Sequence, residues 1–144
     1  MILPDANILI YALNTDAPRH MEAKLWLVET LTGVRGTVVI SWFTLVAFVR
    51  IVTNRKVLGN PFTLDEALEI VRGWLALPGV IVIGPGTDHL THFEAVCRSV
   101  QATGNLITDA HLAALAIEHG CELASCDTDF GKFPGLRWIN PLAP

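Results

Sequence analysis

The chain has 144 residues, of which 51% are hydrophobic and 17% charged, a size and balance that suit one folded domain and exclude an intrinsically disordered chain. Ten Lys and Arg against fourteen Asp and Glu give a formal net charge of −4, so phosphate must be met locally or through a cation rather than by bulk attraction. No apolar run approaches the roughly 20 residues that span a bilayer, the opening Met1-Ile-Leu-Pro-Asp5 lacks a basic leader, and the expectation is a cytoplasmic protein with no membrane partner.

In chain order, residues 1–3 read as a short strand closed by Asp5, followed by helices at 8–13 and 18–31, the second stopped by Gly33. A strand at 37–40 and a helix at 43–53 come next, then a weak break at Val57-Leu-Gly-Asn-Pro61. The helix at 64–77 has the best-marked boundaries: Thr63 and Glu66 stand at capping-box spacing, and Pro61 and Pro78 bracket it. Leu64, Ala67, Leu68, Val71 and Leu75 form its apolar stripe. A strand at 80–83, helices at 88–102 and 109–119, a stop at Gly120, a strand at 122–125 and a last run at 136–139 complete the chain. Strands alternating with helices predict an α/β fold with a mostly parallel sheet of four or five strands. Nothing divides residues 1–144, which read as one domain. Cys97, Cys121 and Cys126 are odd in number and lack C-x-x-C spacing, so they read as buried thiols, not as a disulfide framework or a zinc ribbon.

The informative feature is where the aspartates fall. Asp5 closes the first strand, Asp127 and Asp129 follow the fourth, and Asp109 opens a helix whose N-terminal dipole favours negative charge. The carboxyl ends of parallel strands are the usual ligand edge, so three separate segments deliver acids to one rim. Each acid also has an ordinary use as a turn former or helix starter. Together they conflict: two carboxylates about 4 Å apart repel by roughly 4 kcal/mol at an effective dielectric of 20. A divalent cation resolves the conflict, and oxygen ligands without a His/Cys set favour Mg²⁺ or Mn²⁺.

At these residues the chain resembles a known family. Leu3-Pro-Asp5-Ala-Asn7-Ile-Leu-Ile-Tyr11 is similar to the opening motif of PIN-domain nucleases. Asp109-Ala-His-Leu-Ala-Ala-Leu-Ala-Ile-Glu-His-Gly120 and Leu123-Ala-Ser-Cys-Asp127-Thr-Asp-Phe130 resemble the closing motifs of the VapC toxin branch, and the likeness continues through Gly135-Leu-Arg-Trp-Ile-Asn-Pro141. The resemblance implies a three-layer α/β/α PIN-like fold and Mg²⁺- or Mn²⁺-dependent endoribonuclease activity. It further implies a VapBC-like toxin–antitoxin pair in which cleavage of a structured RNA, of tRNA or rRNA class, inhibits translation until a VapB-like antitoxin binds. A homodimer is implied as well. On that mapping Asp5, Asp109 and Asp127 are metal-ligating or water-activating acids, Asp129 is a helper, and Asn7 and Ser125 orient the carboxylates. The products would carry 5′-phosphate and 3′-hydroxyl ends. One departure from the family pattern is Phe48, in Thr44-Leu-Val-Ala-Phe48-Val-Arg50, at the position where an acid is expected.

Arg50, Asn54, Arg55 and Lys56 form the densest basic stretch and are the expected contacts to RNA phosphates or to the antitoxin. His89 and His92 read as surface histidines, and His111, two residues after Asp109, points away from that carboxylate. The four tryptophans, with Phe43 and Phe48, read as core or interface anchors. Val82-Ile83-Gly84-Pro-Gly86-Thr-Asp-His89 lacks the third glycine of a dinucleotide fingerprint. A phosphoaspartate phosphatase would show Asp-x-Asp where this chain has Asp5-x-Asn7. The competing reading is a catalytically impaired PIN-like binding or regulatory module, its acid lost at Phe48.

Overall fold

The computed structural model describes residues 1–143. Five parallel strands, β1 (Ile2–Pro4), β2 (Val38–Ser41), β3 (Val80–Ile83), β4 (Glu122–Ala124) and β5 (Trp138–Ile139), form one sheet in the order β3-β2-β1-β4-β5. Six helices connect them: α1 (Ala6–Leu13), α2 (His20–Leu31), α3 (Trp42–Val52), α4 (Leu64–Leu75), α5 (His89–Val100) and α6 (Leu106–His119). A short 3₁₀ helix, Thr128–Lys132, follows β4.

The pleat explains the layering. Side chains of a strand alternate between faces, and here Ile2, Ile40 and Ala124 enter one core with α1, α2, α3 and α4. Leu3, Val39 and Leu123 enter a second core with α5, α6 and the aromatic pair Phe130 and Phe133. The result is the expected α/β/α sandwich. Ile2 pairs with Val38 on one side and Glu122 on the other, so β1 is the central strand. The chain leaves β1 toward β2 but returns from the far layer to β4, which makes the β1/β4 boundary the topological switch point, the usual position for a ligand site in such sheets.

The local signals act as their chemistry requires. Thr63 and Glu66 form both halves of the capping box at the start of α4, and Gly33 and Gly120 take positive φ, 82° and 66°, just beyond α2 and α6. Two boundaries differ in an instructive way. On α4 the buried residues are Ala67, Val71 and Trp74, while Leu64 and Leu68 are 59% and 40% exposed. The indole takes the core position that the leucine spacing assigned to the helix flank. Helix α6 starts at Leu106, three residues before the expected opening at Asp109. The apolar Leu106 and Ile107 thus form its first turn. Trp26 and Trp74 are buried, and Trp42 is 57% exposed. All three cysteines are free thiols, with Cys121 buried and the others half-buried.

Phe48 belongs to the core. It is fully buried, with its ring 4.8 Å from that of Trp74. Phe48→Ala is expected to destabilise the fold by about 3–5 kcal/mol, and Thr63→Ala by about 1 kcal/mol. Urea denaturation of the purified variants measures both.

Candidate active site

The site begins where β1 ends. Asp5 N–H donates to the Ala124 carbonyl at 2.9 Å, the last link between β1 and β4. Beyond it the chain turns into α1, and Asp5 is that helix's N-cap, its Oδ1 accepting from Ala6 N–H at 2.7 Å. The other carboxylate oxygen, Oδ2, accepts from the Ser125 hydroxyl at 2.8 Å.

Ser125 is the hub. It follows β4 and is fully buried. Its Oγ donates to Asp5, accepts from Asn7 Nδ2 at 2.9 Å and accepts from Asp127 N–H at 3.1 Å. A hydroxyl has one donor and two acceptor lone pairs, so every hydrogen-bonding valence of Ser125 is used. Asn7 closes the ring by accepting from Cys126 N–H through Oδ1 at 3.3 Å. The backbone of Ser125 is tied into β5, with its N–H donating to the Ile139 carbonyl and its own carbonyl accepting from Trp138 Nε1. Asp5, Asn7, Ser125 and Asp127, from opposite ends of the chain, thus form one rigid network at the switch point.

A second, more open group adjoins it. Asp109, Asp127 and Asp129 each offer a carboxylate oxygen, and these atoms lie within 4.8 Å of one another. Asp127 Oδ1 accepts from Asp129 N–H at 2.9 Å, a turn that aims both side chains the same way. Asp129 therefore stands in the compact group, a more central place than the helper position expected for it. Asp5 stands beside this group, with both its oxygens engaged in hydrogen bonds.

The charges are felt. Burial pushes the Asp5 carboxyl above the ordinary carboxylate value; the bonds from Ser125 and Ala6 oppose that shift, and repulsion from Asp127 adds to it. Asp109 is pushed up to about 6, first by burial and then by repulsion from Asp127, Asp5 and Asp129. Lys132 Nζ, 2.6 Å from Asp129 Oδ1, is the one cation ion-paired with the group among the described residues.

Around this edge the other expected residues divide. Arg50 lines a cavity with Trp42, Phe43, Val46, Ala47 and Thr108, and Thr108 is the peptide neighbour of Asp109. Asn54, Arg55 and Lys56 follow α3 on the exposed surface, with Asn54 Oδ1 accepting from Lys56 N–H. Phe48 packs in the core against Trp74, whereas Trp42, Phe43, Val46, Ala47 and Arg50 of α3 line the cavity beside Thr108. The histidines also depart from expectation. His89 is not a surface residue: it is bonded to Glu118 and His111 and only 13% exposed. Helical spacing alone does not disclose a partner 29 residues away.

The model of the PIN domain matches residues 2–136. Ribonuclease VapC37 of Mycobacterium tuberculosis is 38% identical over 143 residues, covering 99% of both chains, and Ribonuclease VapC33 of the same species is 37% identical over 142 residues, again covering 99% of each. Among solved structures, VapBC2 from Rickettsia felis bound to a promoter DNA fragment aligns with a TM-score of 0.70 at 18% identity, covering 97% of this chain and 98% of that one. VapC20 of M. tuberculosis, a Sarcin-Ricin loop cleaving toxin, aligns at 0.65 and 21% identity, covering 95% and 99%. The acid-lined switch point, the order of the five strands and full-length similarity to two ribonucleases lead to one conclusion: the chain belongs to the PIN-domain family, in its VapC ribonuclease toxin branch.

Proposed function

We propose that the protein is the endoribonuclease toxin of a VapBC-like pair and that it requires Mg²⁺ or Mn²⁺. The observation that carries this reading is the convergence of Asp109, Asp127 and Asp129 within 4.8 Å, with Asp5 fixed next to them by Ser125. The donor set fits a hard divalent ion: all ligands are carboxylate oxygens, half-exposed, with no thiolate or imidazole among them. When bound, such an ion polarises a phosphoryl oxygen and lowers the pKa of a water molecule.

The chain's own residues supply the rest. Asp109, Asp127 and Asp129 would hold the ion, with Asp5 completing the acidic wall. Ser125, itself held by Asn7, fixes the Asp5 carboxylate and the backbone of Asp127 relative to each other. Arg50, Asn54, Arg55 and Lys56 offer donors to RNA phosphates outside the acid group, where a net negative chain most needs them. The substrate class is a structured RNA, of tRNA or rRNA type, whose cleavage inhibits translation. The partners are a VapB-like antitoxin and a second copy of the chain. Full-length similarity to proteins named ribonucleases weighs against an impaired binding module.

Two experiments follow from the charges. The ordinary Asp value is 3.8 and the folded value of Asp109 is about 6, so without metal the ionised carboxyl costs stability above pH 6. That cost is relieved as the folded state takes up a proton between about pH 6 and pH 4. Asp109→Asn is expected to stabilise the metal-free protein by about 1–2 kcal/mol at pH 7.5, after discounting for solvent screening, and to lose that advantage by pH 4. Added Mn²⁺ raises the Tm of the parent protein and not that of the variant; thermal denaturation at the two pH values, with and without metal, checks both statements.

Incubating purified protein with tRNA and rRNA should give cleavage that EDTA stops and Mn²⁺ restores. Asp109→Asn abolishes it, and Ser125→Ala, acting through the orientation of Asp5 and Asp127, lowers kcat/KM about 10- to 100-fold. Cleavage that persists in EDTA, or in the Asp109 variant, overturns the reading.

A further inference from the structure

Outside the acid group, the most connected titratable side chains lie between α5 and α6. Glu118 and His111 stand seven residues apart on α6, and so on one face, and His89 at the start of α5 lies between them. Glu118 Oε1 accepts from Gly86 N–H at 2.9 Å, Glu118 Oε2 is 2.8 Å from His89 Nδ1, and His89 Nε2 is 3.1 Å from His111 Nδ1. A Cβ at Gly86 would lie 2.5 Å from Glu118 Oε1, so only glycine allows this approach. Anchoring the β3–α5 loop accounts for Glu118 and His89. It does not account for the far end of the chain, where His111 Nε2 has no hydrogen-bond partner among the described residues and is not enclosed.

Within this chain Nδ1 of His111 is turned to His89, so its outer Nε2 is the ring atom left for a ligand, and a hydroxyl, which both donates and accepts, is a partner for it. The His111 ring is also held edge-to-face against Phe43, centroids 5.1 Å apart.

Phe43 leads to the next feature. With Trp42, Ala47, Arg50 and Thr108 it lines a cavity of about 480 Å³ that adjoins Asp109 through Thr108. Trp42 and Phe43 are 57% and 39% exposed, and Arg50 has no ion-pair partner among the described residues. Exposed aromatic faces beside a free arginine suit a base and its phosphate, and the outer nitrogen of His111, on the ring packed against the cavity-lining Phe43, suits a ribose hydroxyl.

We propose that this cavity is the subsite for the single-stranded ribonucleotide flanking the scissile phosphate. Trp42 and Phe43 stack on its base, Arg50 meets its phosphate, and His111 Nε2 bonds to its 2′-hydroxyl, the group by which a protein tells RNA from DNA. The proposal rests on the ribonuclease reading above and names how that site selects its polymer.

The test is binding in EDTA, where no cleavage intervenes, followed by fluorescence anisotropy with 5′-fluorescein-labelled randomised 12-nucleotide RNA and DNA. The parent protein binds RNA more tightly than DNA. His111→Asn keeps a donor at the Nδ1 position for His89 but lacks the outer nitrogen. It is expected to lose about five- to tenfold in RNA affinity, the effect of one ordinary hydrogen bond, with DNA affinity unchanged and the fold retained by circular dichroism. His111→Gln, which restores a polar atom near the outer position, recovers part of the loss. Trp42→Ala weakens both polymers alike.

The proposal is overturned if neither oligonucleotide binds, if the parent does not discriminate, or if His111→Asn still does. It also fails if Trp42→Ala breaks a dimer in sedimentation without changing RNA affinity, since the cavity is then a protein interface. Metal-dependent cleavage without discrimination removes the subsite alone, whereas discrimination without metal-dependent cleavage removes the nuclease reading alone.

Discussion

The site depends on a single buried hydroxyl. Ser125 Oγ gives its proton to Asp5 and accepts from Asn7 and from the backbone of Asp127. Because none of its valences is left over, rotation of that hydroxyl would break one bond without making another, and in a buried site each broken bond leaves a polar group unsatisfied at a cost of about 1–3 kcal/mol. The hydroxyl thereby locks residues that follow the first and fourth strands in one arrangement. Threonine's extra methyl or alanine's missing oxygen would each disturb that arrangement in a different way.

The fold supplies the reason such a lock is needed. A reversal of strand order at β1/β4 opens a crevice, and the loops beyond those two strands must both carry acid into it. Carboxylates at this spacing repel, and burial of Asp5 and Asp109 sharpens the repulsion, as their raised proton affinities record. Holding these carboxylates close together therefore costs the fold some stability, a cost that functional sites commonly carry.

The two faces of the sheet contribute differently. The α1–α4 layer, with Phe48, Trp26 and Trp74 in its core, is a conventional packed support. The α5–α6 layer carries Asp109 on one side of α6 and the His111–His89–Glu118 chain on another. Helix α6 is almost wholly buried along residues 110 and 112–116, so its small alanines let it approach the sheet closely and bring Asp109 up to Asp127. A bulkier helix would hold that carboxylate farther from its neighbours.

Read alone, the sequence determined what local chemistry controls. Strand and helix order, the Thr63–Glu66 capping box, the glycine stops and the acids at strand ends were all legible, because each depends on neighbours a few residues away. The family motifs carried Asp5, Asn7, Asp109, Ser125, Asp127 and Asp129 as well. Only the tertiary structure decided how those residues meet: that Asp129 joins the compact group, that Phe48 turns into the core, that Trp74 displaces the leucines on α4, and that His89 lies between Glu118 and His111. Each of these is a matter of which surface faces which across a sheet or a helix pair. Separations such as 22 residues between His89 and His111 and 120 between Asp5 and Ser125 leave no trace in local periodicity, so packing alone could select them.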